Sequence, residues 1–97
     1  MADDRGSGAI EKFRAEIDEI DSDLLRLLNR RALCAQSIGK IKRENNQPIH
    51  VPERERAVLE RLVAQNEGPL TAEAVEAVFQ IITHQMKTLQ GDSSGDP

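Results

Sequence analysis

Arg31 interrupts an otherwise apolar stripe in the N-terminal half of the chain. Steps of three and four residues give the apolar residues Ile10, Phe13, Ile17, Ile20, Leu24 and Leu27 before it, and Cys34, Ile38 and Ile41 after it. This spacing is that of one face of an α-helix, so Arg31 occupies a position that should be buried. A guanidinium there either reaches solvent from the helix edge or binds an anion, and the pattern leaves both interpretations open.

Lys42 lies on the same side of this helix as Arg31. The separation of eleven positions between the two residues corresponds to about 20° around the axis and roughly 16 Å along it. Ala35 and Gly39 lie between them and are small enough to leave a floor that a ligand could approach. Two cations over such a floor would fit a small dianion, although Lys42 alone would be interpreted as a side chain that reaches solvent.

The two following helices also bring polar residues to their apolar faces. In the first of them the apolar face continues backwards onto Arg54 and Glu55, which form either a structural or a ligand-binding pair on the core side. In the last helix Gln90 continues the apolar line from Phe79, where a neutral amide needs hydrogen-bond partners. The apolar residues of these faces are Val58, Leu59, Leu62 and Val63, and then Val75, Val78, Phe79, Ile82, Met86 and Leu89.

These residue types exclude several kinds of chemistry. No serine has a plausible histidine and aspartate relay, and His50 and His84 lack metal-ligand spacing with Cys34, which is interpreted as a small buried apolar residue. No metal site or activated nucleophile is therefore predicted. Cations with one carboxylate and one amide suit the binding of a small polyanion, or a reaction that requires only positioning and charge stabilisation.

The spacing predicts an all-α fold with one long and two shorter helices. The long helix spans about residues 10 to 44, a proline-containing loop follows, and the shorter helices span residues 52 to 66 and 72 to 90, the last with Thr71 as its N-cap. A helix of about 35 residues would be roughly 50 Å long, too long for a domain of this size to cover. The chain is therefore expected to pair with a second copy as a homodimer.

Composition limits the setting in which the protein acts. Residues 9–90 are expected to form the folded domain, because the segments 1–8 and 91–97 are rich in Gly, Ser and Asp and have nothing to bury. A net charge of −4 and a pI of about 5.1 argue against a nucleic-acid or membrane-surface partner. One cysteine and no signal-peptide or transmembrane stretch favour the cytoplasm.

Three segments in this order resemble the all-helical AroQ class of chorismate mutase: "FRAEIDEIDSDLLRLLNRRALCAQSIGKIK", "PIHVPERERAVLERL" and "VFQIITHQMKTLQ". The resemblance implies an intertwined homodimer with two active sites. It implies the Claisen rearrangement of chorismate to prephenate in phenylalanine and tyrosine biosynthesis, without cofactor or metal. Many members of this class are fused to another enzyme of the aromatic pathway, so a fused or associated partner enzyme is also expected.

The resemblance assigns a role to each candidate residue. Arg31 and Arg54 would bind substrate carboxylates, together with Arg14 donated across the dimer interface, whereas the pattern alone favours Arg14 as a solvated surface side chain. Lys42 would hydrogen-bond the ether oxygen and a carboxylate, Gln90 would contact the ether oxygen, and Glu55 would receive the substrate hydroxyl.

Two positions depart from the family pattern: Val51 replaces an aspartate found in some members, and Met86 replaces a common serine. Weaker substrate binding at most is expected from them. The nearest alternative function is that of isochorismate-pyruvate lyase. A non-catalytic helical dimer with a regulatory or assembly role is the alternative of a different class.

Overall fold

The computed structural model describes residues 6–91 as three α-helices. Helix α1 spans Ser7–Glu44, α2 spans Pro52–Gln65 and α3 spans Ala72–Gln90, and no strand lies within this part of the chain. The predicted all-α class and helix order are confirmed. Helix α1 includes Ser7 and Gly8, which the composition placed in the N-terminal tail, while residues 1–5 and 92–97 of the two predicted tails lie outside the described residues.

The helices begin and end at residues suited to those positions. Thr71 is the N-cap of α3, and its hydroxyl oxygen accepts a hydrogen bond from the amide of Ala74 at 3.1 Å, so this predicted cap is confirmed. Gly91 ends α3 with a φ of 99°, a left-handed conformation that a side chain would disfavour. Helix α2 begins at Pro52 after Val51, which provides no side-chain cap.

The chain divides into two compact units, an N-terminal unit that ends at Arg31 and a C-terminal unit that begins at Ala32. The C-terminal unit contains the packing of α2 against α3. It also contains the buried apolar side chains, which are Ala35, Val58, Val75 and Met86. The burial of Val58, Val75 and Met86 confirms that the two shorter helices turn the predicted faces inward.

In the N-terminal unit, every side chain described up to Leu27 is exposed. The apolar side chains of the stripe, from Ile10 to Leu27, keep between 49% and 63% of their surface accessible. In the C-terminal unit, five more residues of the predicted apolar faces are exposed within the single chain: Cys34, Ile38, Ile41, Val78 and Leu89. Periodicity identifies the apolar side of a helix, but it does not show what covers that side.

None of the described helices combines the length and the apolar composition needed to cross a membrane.

Candidate active site

The candidate residues fall into both units. Arg14 and Arg31 belong to the N-terminal unit, and Lys42, Arg54, Glu55 and Gln90 belong to the C-terminal unit. Arg14 is exposed and donates to Glu11 one helical turn before it, with 2.8 Å between Nη1 and Oε1, as expected of a solvated arginine. Arg31 is half-buried, so part of its surface is withdrawn from water within a single chain.

Lys42 is held in place by the loop that follows α1. Its side chain is half-buried, and Nζ donates a hydrogen bond to the main-chain oxygen of Ile49 at 3.2 Å. An ammonium carries three N–H donors. The contact with Ile49 therefore orients Lys42 and leaves two donors for a ligand.

Glu55 lies between two cationic or potentially cationic side chains. Its Oε1 is 3.1 Å from Nζ of Lys87 in α3, and its Oε2 is 3.4 Å from Nε2 of His50. Oε1 is fully enclosed and accepts no aligned hydrogen bond, although the Lys87 ammonium lies within ion-pair distance. An ammonium rotates its N–H groups at little cost. The contact between Lys87 and Glu55 is therefore an ion pair, although no N–H group points directly at Oε1.

Arg54 does not share the environment of Glu55. The prediction that both side chains enter the core side is wrong for Arg54, which is exposed, while Glu55 is half-buried. Glu55 pairs with Lys87 and His50 instead. A helical stripe gives the direction of a side chain, but it does not show whether a neighbouring element extends far enough to cover it.

The backbone of Gln90 packs directly against α1. A Cβ added to Gly39 would lie 2.7 Å from both Cα and O of Gln90, and Nη1 of Arg43 donates to that oxygen at 2.6 Å. The prediction that Gly39 leaves a floor for a ligand is therefore wrong, since the backbone of α3 covers it. Gly39 and Arg43 instead hold the end of α3, and with it the half-buried Gln90, in position.

Met86 and Val51, the two departures from the family pattern, contribute in different ways: Met86 through its side chain and Val51 through its main chain. Met86 keeps only 7% of its surface accessible, so this position fills the core, as the apolar stripe predicted. The main-chain oxygen of Val51 accepts hydrogen bonds from the amides of Arg54 and Glu55 at 3.0 and 3.2 Å. A backbone contact of this kind does not depend on the side chain at residue 51.

Three residues of the site region were missed by the sequence patterns: Lys87, His50 and Arg43. Lys87 lies three residues before Gln90, which corresponds to about 60° around α3. Because Gln90 was predicted to point inward, the sequence could have indicated that Lys87 lies near the same site. Arg43 offered none, because its partner is a main-chain oxygen 47 residues further along the chain.

A family model supplies the decisive comparison. The model described as chorismate mutase type II matches residues 13–91, a segment that includes all six candidate residues. The chain belongs to the chorismate mutase type II family. The resemblance in three sequence segments is thereby confirmed.

Individual relatives show how much of the family the chain spans. The bifunctional chorismate mutase/prephenate dehydratase of Aquifex aeolicus is 41% identical over 85 residues, which cover 84% of this chain and 24% of the relative. The chain thus spans about a quarter of the length of that protein.

Solved chorismate mutase structures match nearly their whole length. The Thermus thermophilus enzyme matches with a TM-score of 0.85 at 32% identity, over 87% of this chain and 96% of that one. The Helicobacter pylori enzyme, solved in complex with prephenate, matches with a TM-score of 0.80 at 30% identity, over 93% of this chain and 98% of that one. The three-helix architecture is therefore that of the family.

Proposed function

We propose that the chain catalyses the rearrangement of chorismate to prephenate, and that it does so as a homodimer. The observation that carries this proposal is the family match over residues 13–91. The likeness to a prephenate-bound relative over 98% of that relative's chain supports the same substrate and product.

The reaction suits the residue types of the candidate site. A Claisen rearrangement breaks a carbon–oxygen bond and forms a carbon–carbon bond within one molecule, so it consumes no nucleophile and transfers no proton. A protein accelerates it by holding the flexible enolpyruvyl ether in its folded conformation, since positioning alone removes a large part of such a barrier. Rigid, charged side chains are sufficient for this task.

Lys42 and Gln90 are proposed to act on the ether oxygen. Negative charge builds on this oxygen as the carbon–oxygen bond breaks, and donors already aimed at it stabilise the transition state more than the ground state. The contact between Lys42 and Ile49 and the packing of Gln90 against Gly39 reduce the reorganisation that these two groups would need.

Three guanidinium groups are proposed to anchor the two substrate carboxylates: those of Arg31 and Arg54 and that of Arg14 of the partner subunit. A planar guanidinium matches a carboxylate in shape and charge. Arg54 is exposed and Arg31 is half-buried, so both retain surface for a ligand. Glu55 would accept the substrate hydroxyl as a hydrogen-bond donor.

The homodimer is supported by the exposed apolar side of α1. From Ile10 to Leu27 its large apolar side chains are at least 49% exposed, and a patch of this extent on a monomer in water would be unusual. A second copy provides the same stripe for mutual burial. Sedimentation equilibrium would check this assembly, and a monomer at assay concentration would contradict it together with the donated Arg14.

We also propose that the chain acts in the cytoplasm. We further propose that it associates with an enzyme that consumes prephenate. The single cysteine suits a reducing compartment. The bifunctional name of the Aquifex aeolicus relative supports the association.

The direct test follows chorismate absorbance with purified protein and identifies the product by NMR, because a rearrangement leaves the mass unchanged. Arg31→Ala and Lys42→Ala are each expected to lower kcat/KM by about a hundredfold or more, because each removes a preorganised charge. Arg30→Ala and Lys40→Ala are matched controls. These are exposed cations on the same helix, and their substitution is expected to leave turnover unchanged.

Three outcomes would change the assignment. Equal turnover in all four variants would remove Arg31 and Lys42 from the site. Pyruvate release from isochorismate, with chorismate untouched, would identify the lyase. Binding of chorismate without turnover would favour the non-catalytic dimer.

A further inference from the structure

Lys87 is a cation to which the family resemblance assigns no role. It lies near the end of α3, its side chain is 23% exposed, and its Nζ is 3.1 Å from Oε1 of Glu55 in α2. The side chain of Glu55 is 28% exposed, and its Oε1 is fully enclosed. The ion pair therefore joins two helices at a partly buried position, unlike the surface pairs formed within α1.

The two oxygens of the Glu55 carboxylate have different surroundings. Oε1 faces Lys87, whereas Oε2 is 3.4 Å from Nε2 of His50, whose side chain is 49% exposed. An enclosed carboxylate oxygen without a cation is costly, so the Lys87 contact determines which oxygen turns inward. Oε2 is then the oxygen that a ligand arriving from the exposed side would meet.

We propose that Lys87 is a positioning residue for Glu55: it holds Oε1 and so presents Oε2 to the substrate hydroxyl. This inference rests on the proposed function, in which Glu55 accepts that hydroxyl. Lys87 does not touch the reacting atoms in this account. Its effect on turnover therefore passes through Glu55 alone.

A double-mutant cycle tests this dependence. Lys87→Met removes the cation and keeps most of the side-chain length, and it is expected to lower kcat/KM by about tenfold, the usual scale of a hydrogen bond to a charged group. Because the hydroxyl contact exists in both the bound substrate and the transition state, most of the loss should be a rise in KM. In a Glu55→Gln background the same change should have less than about a twofold effect.

Two further variants separate positioning from general effects. Lys87→Arg retains a cation and is expected to restore kcat/KM to within about threefold of the wild type. Lys40→Met removes an exposed lysine of α1 and should leave both constants unchanged. Thermal unfolding of each variant checks folding, and Lys87→Gln replaces Lys87→Met if the latter does not fold.

The outcomes are distinguishable. A wild type without turnover overturns the proposed function and this inference with it. An active wild type whose Lys87→Met variant matches Lys40→Met overturns the positioning role alone. A tenfold loss that persists in the Glu55→Gln background, or one that appears in kcat, would show that Lys87 does not act through the ground-state contact of Glu55 and would also overturn it.

Discussion

The N-terminal and C-terminal units have the same kind of apolar pattern, but only the C-terminal unit buries part of it within the chain. In the N-terminal unit Leu24 and Phe13 keep 50% and 63% of their surface accessible, whereas in the C-terminal unit Val58 and Val75 keep 7% and 6%. The burial differs because α2 and α3 pack against each other within the chain and so cover part of each other's apolar faces. The apolar side of the N-terminal unit is the one that the proposed homodimer would bury.

The charged side chains of the two units differ in the same way. In the N-terminal unit Arg26 pairs with Asp23 one turn away, and both side chains are more than 60% exposed. In the C-terminal unit Arg43 and Lys87 join different helices. Charges in the N-terminal unit support one helix locally, while those in the C-terminal unit fix where one helix lies against another.

The largest effect is expected from a charge placed on the apolar side of the N-terminal unit. Leu24→Asp would bury an unpaired carboxylate at the proposed interface, at a cost of several kcal/mol. The dimer dissociation constant should rise by about a hundredfold or more, and turnover should fall with it. Sedimentation equilibrium and chorismate turnover would measure both.

Ser22→Asp is the matched control for this change. Ser22 is exposed on the same helix, and its position is about 160° from that of Leu24 around the axis. The Ser22→Asp substitution should therefore leave dimer assembly and chorismate turnover unaltered. A dimeric, active Leu24→Asp variant would show that this side of α1 is not the interface.

An intermediate effect is expected from adding one methyl group in each unit. In Gly39→Ala the new Cβ would lie 2.7 Å from backbone atoms of Gln90, so α3 must shift, and a loss of about 1–3 kcal/mol of stability is expected. Gly8→Ala meets no atom within 4 Å and should stabilise α1 by up to about 1 kcal/mol. Urea unfolding at one fixed protein concentration would measure both.

The critical result is which of the two variants, Gly39→Ala or Gly8→Ala, has the lower free energy of unfolding. If Gly39→Ala were as stable as the wild type, the close approach of α3 to Gly39 would not exist in solution. If Gly39→Ala loses more activity than its loss of folded protein accounts for, the position of Gln90 matters for turnover.

The smallest effect is expected from removing one arginine in each unit. Arg43→Met removes a hydrogen bond of 2.6 Å to the last carbonyl of α3, which should cost about 0.5–1.5 kcal/mol. Arg26→Met removes an exposed ion pair within one helix, which should cost at most about 0.5 kcal/mol. Equal values for the two in urea unfolding would contradict the distinction between the charges of the two units.

Much of the fold could be predicted because its signals are local. The proline at the start of α2, the Thr71 cap and the left-handed Gly91 act within one turn of where they stand in the chain. The apolar periodicity of α1 acts in the same way, which is why the residue at which this helix ends was predicted correctly. The family resemblance added the roles of the six polar residues, and these roles stay predictions.

The rest of the candidate site depends on contacts between distant residues. Arg54 and Glu55 are adjacent in the sequence, yet only Glu55 is half-buried, and Glu55 forms an ion pair with Lys87 of α3. Gly39 was interpreted as space for a ligand and instead receives the backbone of Gln90. Neither outcome follows from a periodic pattern, which describes one helix at a time.

The sequence by itself determined the three helices, their apolar sides and the family, because caps, turns and side-chain period are properties of neighbouring residues. The tertiary structure alone decided which small residue is covered and which cation meets which carboxylate. Those choices depend on where α3 ends relative to α1 and α2, and that geometry is set by contacts between residues that are distant in the sequence.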